Sequence, residues 1–217
     1  MFVFLLASMM ILSTPFSALA TEMDNNLINE NKIIENMNYL GIEKTAQSSL
    51  IDKIRNGELP DSDNPEKVKQ ISSLLNVSEN NPKVEYTFAD GSKIRLEIVE
   101  IGNNEVAPCG TRITKEIKVK ESTTFTTGEF KAKVLYDWDY PRSEILRVWD
   151  ERVTVVAGDY WDPKLRIIQR VQTDSDPAHA RLSFKYQYQI KGRPIVTGTA
   201  WIDLFVDQHN HWTDITT

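Results

Sequence analysis

The sequence predicts a mainly β protein, an antiparallel β-sandwich or small barrel preceded by a short helical segment. Three observations carry that reading. From residue 84 onward apolar and polar residues alternate with a period of two, and turn residues recur every 8 to 15 positions. Residues 27–75 show a helical period instead, with Gly41 and Gly57 where helices end. The clearest alternation runs through 181–206. There Leu182, Phe184, Tyr186, Tyr188 and Ile190 interleave with Ser183, Lys185, Gln187 and Gln189, Gly192 and Pro194 break the run, and a second apolar strand follows. Alternate side chains of a strand point to opposite faces, so this hairpin has a dry face and a wet one and is expected at the centre of a sheet.

The elements follow in order. Residues 1–20 form an uncharged apolar run closed by Ala18-Leu19-Ala20, the small-x-small pattern of a signal peptide cleavage site. No Lys or Arg precedes the run, which departs from that pattern. The expected organisation is a signal peptide over 1–20, a helical N-terminal segment over 21–82 and an antiparallel β domain over 83–217. Residues 21–26 are polar and expected to be loose. Helices are expected over 27–40 and 43–56. Asn64 then caps a shorter helix with Pro65 at its first position. The turn at Asp90-Gly91 is expected to hold three residues, because that register pairs Tyr86 with Ile94 and Val84 with Leu96 and keeps one face dry. Strands are expected near 113–119, 130–138, 145–156, 165–172 and 212–217, making seven to nine short strands with loops at 102–111 and 157–163.

Composition bounds the function. The apolar fraction is 41% and the charged fraction 26%, as in ordinary globular proteins. The net charge of −6 and the lack of a basic stretch argue against nucleic-acid binding, and the two helices joined at Gly41 read as a packed prefix rather than a DNA-binding motif. No run after residue 20 is apolar enough for a stable membrane span. Cys109 is the single cysteine, so no disulfide forms within the chain, and burial is its expected state.

Candidate chemistry is sparse. Asp207, His209 and His211 form Asp-x-His-x-His; on one extended segment they would share a face and could ligate a transition metal if a distant residue completed the shell. Asp61-Ser62-Asp63-Asn64 begins like a calcium loop, but Glu66 and Ser72 stand where Gly and Glu are required, so these aspartates read as turn and cap residues. No serine-nucleophile, zinc-protease or phosphate-loop motif occurs. No cofactor is called for. Tyr136, Trp138, Tyr186 and Tyr188 are expected in the core. Tyr160 and Trp161, read as a loop pair beside Asp159 and Asp162, are the candidate ligand-binding residues. The Ser/Thr-rich stretch at 115–134 has the alternation of a pore-forming hairpin, but an ordinary hairpin explains it.

The run 50–62, Leu-Ile-Asp-Lys-Ile-Arg-Asn-Gly-Glu-Leu-Pro-Asp-Ser, together with Pro65-Glu66-Lys67-Val68 and Tyr86-Thr-Phe-Ala-Asp-Gly-Ser92, resembles uncharacterised secreted proteins of low-GC Gram-positive bacteria. The resemblance spans about residues 45–95. It implies export and no activity. The expected role is non-enzymatic binding outside the cell, to an envelope component or an extracellular protein. A secreted hydrolase using carboxylate or metal chemistry is the alternative, and a membrane-active or pore-forming β protein the second.

Overall fold

Period-two alternation becomes two antiparallel sheets. The structure, a computed structural model, describes residues 21–102, 105–106, 111–138, 142–190, 192–208 and 210–216, with the side chains of 21–29, 105–106 and 214–216 left undescribed. The signal-peptide reading of 1–20, Cys109 and His209 lie outside these residues.

Three helices come first, α1 (Thr21–Tyr39), α2 (Lys44–Arg55) and α3 (Pro65–Ile71). The first extends through 21–26, which were expected to be loose. Gly41 ends it at φ 65°, a left-handed conformation that costs glycine little. The Asn64 side chain accepts the Glu66 amide, as its capping role predicts, and Pro65 opens α3.

Among the described residues eleven strands follow, ten of them after residue 82, which exceeds the seven to nine expected. One sheet runs β1 (Val77–Ser78), β11 (Asn210–Thr216), β10 (Arg193–Asp207), β9 (Ala178–Ile190) and β8 (Gly158–Gln169). The other runs β2 (Lys83–Thr87), β3 (Lys93–Glu100), β5 (Arg112–Ser122), β6 (Thr126–Asp137) and β7 (Arg142–Val155), with β4 (Glu105–Val106) also on β5. The central hairpin is β9–β10, flanked on both sides as its two-faced pattern requires. The β2–β3 turn has the three-residue register, with Tyr86 opposite Ile94, Val84 opposite Leu96 and Gly91 at φ 83°.

The two sheets pack face to face, and no barrel closes. Leu182, Phe184, Ile202 and Leu204 from one meet Ile94, Leu96, Ile117, Val119 and Phe130 from the other in a shared core. The approach is close at Gly128, where a β-carbon would stand 2.4 Å from Ile202 Cδ1. At one corner the sheets touch through backbone: Ile145 N–H donates to the Arg170 carbonyl and Gln172 N–H to that of Ser143. Tyr136, Tyr186 and Tyr188 are buried as expected. Trp138 is not; it lies just past the end of β6 and stands 50% exposed.

The helical segment covers one end of the sandwich. Asn36 Nδ2 donates to the carbonyls of Thr123 and Thr124 in the β5–β6 turn. Lys53 bonds both Asp61 and Asp90, tying α2 to the β2–β3 turn. The stretch 115–134 is thus a β5–β6 hairpin inside a sheet. No helix among the described residues is long and apolar enough to cross a membrane.

Candidate functional site

The two sheets present very different outer faces, and pairing register shows which side chains share each one, because directly opposed residues lie on the same face. The outer face of the β2–β7 sheet is a lattice of ion pairs. Arg95 and Lys93 meet Glu85, Lys118 and Lys120 approach Glu129, Lys131 meets Asp150, and Arg147 meets Glu116. Opposite charges on neighbouring strands are the ordinary composition of a solvated sheet face.

The outer face of the β8–β11 sheet is aromatic and basic. Trp161, Lys185 and Thr199 form one row across β8, β9 and β10. Lys164, Ser183 and Trp201 form the next. Arg166, Arg181 and Asp203 follow, then Gln169, His179, Phe205 and Trp212. Asp203 is fully buried and takes the Arg181 guanidinium at 2.6 and 2.8 Å and His179 Nε2 at 2.7 Å. Burial opposes its ionisation, but these bonds outweigh burial and hold its carboxyl below the usual range. His179 stacks on Phe205 at 4.5 Å, and Phe205 on Trp212 at 5.5 Å. Those rings spend their faces on each other. Trp201 has the Arg181 guanidinium 5.8 Å from its ring. Trp161 is 41% exposed and makes no ring or cation contact.

Trp161 and Tyr160 therefore lie on a strand, where a loop over 157–163 was expected. The turn before β8 is short because Gly158 packs against β9: a β-carbon there would stand 1.9 Å from the Gln187 carbonyl oxygen. A register shift between Trp161 and Lys164, with Asp162 at φ 56°, lets the chain pass Pro163 without leaving the sheet. Tyr160, 43% exposed, opposes Tyr186 and faces the sandwich side of this edge. The candidate pair thus straddles β8, and only Trp161 belongs to the outer face.

A second group was not foreseen. Asp63, in a helical turn Asp61–Asp63, is buried between α3 and the β5–β6 turn. Its Oδ1 accepts from Thr123 Oγ1, from Phe125 N–H at 3.1 Å and from Tyr188 Oη at 3.3 Å, while Oδ2 accepts from Ser62 Oγ at 2.8 Å. Burial pushes its pKa up to about 6 against the pull of these donors. Glu121 continues the inward series Ile117, Val119 on β5 and opposes Leu96 and Gly128. The residue is half-buried by surface, its carboxyl the more enclosed part, and it makes no hydrogen bond or ion pair. Burial, with the charge of Asp63 added, pushes it up to about 8. Both line a cavity of about 50 Å3 with Tyr186, Tyr188, Thr123 and Thr126. At roughly 10–15 Å3 of such space per water, that is room for a few waters. The signal for Glu121 was in the sequence, as a carboxylate at the position where the alternation calls for a third apolar residue.

The Asp207 and His211 pair does not share a face. In the β10–β11 register Asp207 opposes Asn210 while His211 opposes the buried Val206. His211 is 1% exposed; its Nδ1 bonds the Tyr136 hydroxyl at 2.7 Å, and burial lowers its pKa. Among the described residues no group of three or more His, Cys, Asp or Glu is placed to hold a metal.

The chain matches no protein-family model and no curated protein. Among solved structures it is similar to a hypothetical protein from Listeria monocytogenes EGD-e, at 14% identity and a TM-score of 0.37. That likeness covers 65% of this chain and 97% of the other.

Proposed function

We propose that the protein is an exported, non-enzymatic binding protein that works at the cell envelope or on an extracellular partner, with the outer face of the β8–β11 sheet as its ligand surface. The observation that carries this reading is the contrast between the two outer faces. One is neutralised by cross-strand ion pairs, with its Trp149 ring under the Arg147 guanidinium; the other displays an exposed, uncovered Trp161 in a row with Lys185 and next to the row of Lys164 and Trp201. Exposed aromatic rings on a rigid sheet supply large contact area at little conformational cost. Export rests on the 1–20 segment and its Ala18-Leu19-Ala20 end.

The hydrolase reading would need Asp63 and Glu121 as its acid and base. It is less well supported, because Asp63 already accepts from four donors.

Co-sedimentation with purified cell wall tests the proposal. The purified protein is expected to pellet with wall and not with liposomes, and Trp161→Ala with Trp201→Ala to weaken pelleting by about tenfold or more, as loss of aromatic anchors does. Pelleting with liposomes instead would favour the membrane-active reading. Equal pelleting of wild type and variant would remove this face from consideration.

A further inference from the structure

The corner of the outer face around Trp161 gathers cations in an acidic chain. The chain as a whole has a net charge of −6. Near Trp161 stand three cations, Lys164, Arg166 and Lys185, with two carboxylates, Asp159 and Asp162. Lys164 bonds Asp162 at 2.6 Å. Arg166 and Lys185 are exposed and make no hydrogen bond or close ion pair through their side chains, although the charges of both act on Asp162. Of the other carboxylates on the face, Asp203 holds Arg181 and His179, Asp159, one row beyond Trp161, accepts from Gln189 Nε2 at 3.0 Å, and Asp207 stands at the far end of β10.

We infer that this corner binds an acidic polysaccharide, a polymer of pyranose rings bearing carboxylates, with a ring laid on Trp161 and carboxylates of the polymer on Lys185 and Arg166. The inference rests on the reading that this face is the ligand surface. Three features favour such a ligand. The face of Trp161 is free, and a flat indole matches the C–H side of a pyranose ring. A free guanidinium presents a planar fork that fits a carboxylate. Arg166 opposes Arg181 and Trp161 opposes Lys185, so the two free cations sit four residues apart along the ladder, about 13 Å by strand geometry. A single sugar does not span that distance, whereas successive rings of a chain do.

Affinity electrophoresis through gels holding polygalacturonate, dextran or polyphosphate tests this directly. Polygalacturonate is expected to retard the protein in a salt-sensitive way, dextran not to, and polyphosphate to do so weakly. Trp161→Ala, and separately Arg166→Gln with Lys185→Gln, are each expected to weaken polygalacturonate binding by about tenfold. These side chains are exposed, and unchanged circular dichroism would show that the variants fold. Absence of retardation by polygalacturonate overturns the inference. So does equal retardation by dextran, which removes the anion, or polyphosphate binding that matches polygalacturonate and ignores Trp161→Ala, which removes the ring. Trp161-dependent wall pelleting without polygalacturonate binding would overturn the acidic-sugar inference alone. Loss of both would overturn the ligand face as well.

Discussion

Replacing Glu121 with glutamine is expected to raise stability at pH 8 and to flatten the pH dependence of stability between pH 4.5 and 8. Glu121 continues the inward series of β5 with a carboxyl that has no partner, and burial holds its pKa at about 8 against an ordinary 4.5. Between those values the folded protein keeps a proton that the unfolded chain has released. The unfolded state binds fewer protons there, so stability falls as pH rises and levels off above about 8. Asp63 contributes in the same direction between 3.8 and about 6. Two groups act the other way. Asp90, whose bonds from Lys53, Ser92 and the Asp61 amide outweigh burial and hold it at about 2, loses its contribution as pH falls below 3.8. His211, buried with a lowered pKa, costs stability as pH falls below 6.5, where the unfolded imidazole takes up a proton. The difference between wild type and Glu121→Gln isolates Glu121 from both. It should grow with pH from near zero at pH 4 to on the order of 3 kcal/mol at pH 8. Urea unfolding at pH 4, 6 and 8 measures it. Parallel curves for the two proteins would mean that Glu121 titrates as a solvated carboxyl.

Asp63→Ala is expected to destabilise the protein by about 3 kcal/mol, chiefly by loosening the helical segment from the sandwich. The carboxylate takes donors from three parts of the chain: Ser62 beside it, Thr123 and Phe125 in the β5–β6 turn, and Tyr188 on β9. Removing it leaves the Phe125 amide without its acceptor in a buried turn. The hydroxyls have second partners, Thr124 for Ser62 and Thr126 for Tyr188, which limits the loss. Hydrogen exchange separates this from general destabilisation. Amides of 61–71 and Phe125 should lose protection first, while the β9–β10 ladder keeps its own. Asp63→Asn retains an acceptor and should cost less. Uniform loss of protection across both sheets would show that Asp63 supports the whole core and not one end of it.

Much of the fold was legible in the chain. The alternation through 181–206 names the dry face of β9 residue by residue, and Gly91 together with side-chain parity selects the β2–β3 register. Asn64-Pro65 marks the start of α3. Each is a signal between residues a few positions apart. Trp138 shows where such signals stop. It continues the parity of β6, but it lies where the strand runs out of the sandwich, and nothing local records where a sheet ends. Glu121 shows a signal that was present and overlooked, since a carboxylate in an inward series has meaning only once that series is known to be inward.

The candidate sites divide along the same line. Local physics in the sequence determined the element types, the two-faced strands and the presence of an aromatic pair at Tyr160 and Trp161. Register and topology decided the rest. The β10–β11 register sent Asp207 and His211 to opposite faces. The close approach of Gly158 to β9 made a strand of an expected loop. Pairing in the order β11, β10, β9, β8 set Trp161, Lys185, Arg166, Trp201 and Trp212 on one surface, though they are spread over 52 positions from 161 to 212. Alternation along a strand is written in neighbouring residues. Adjacency across strands depends on which segments pair and in what register, and that is settled by the packing of the whole core.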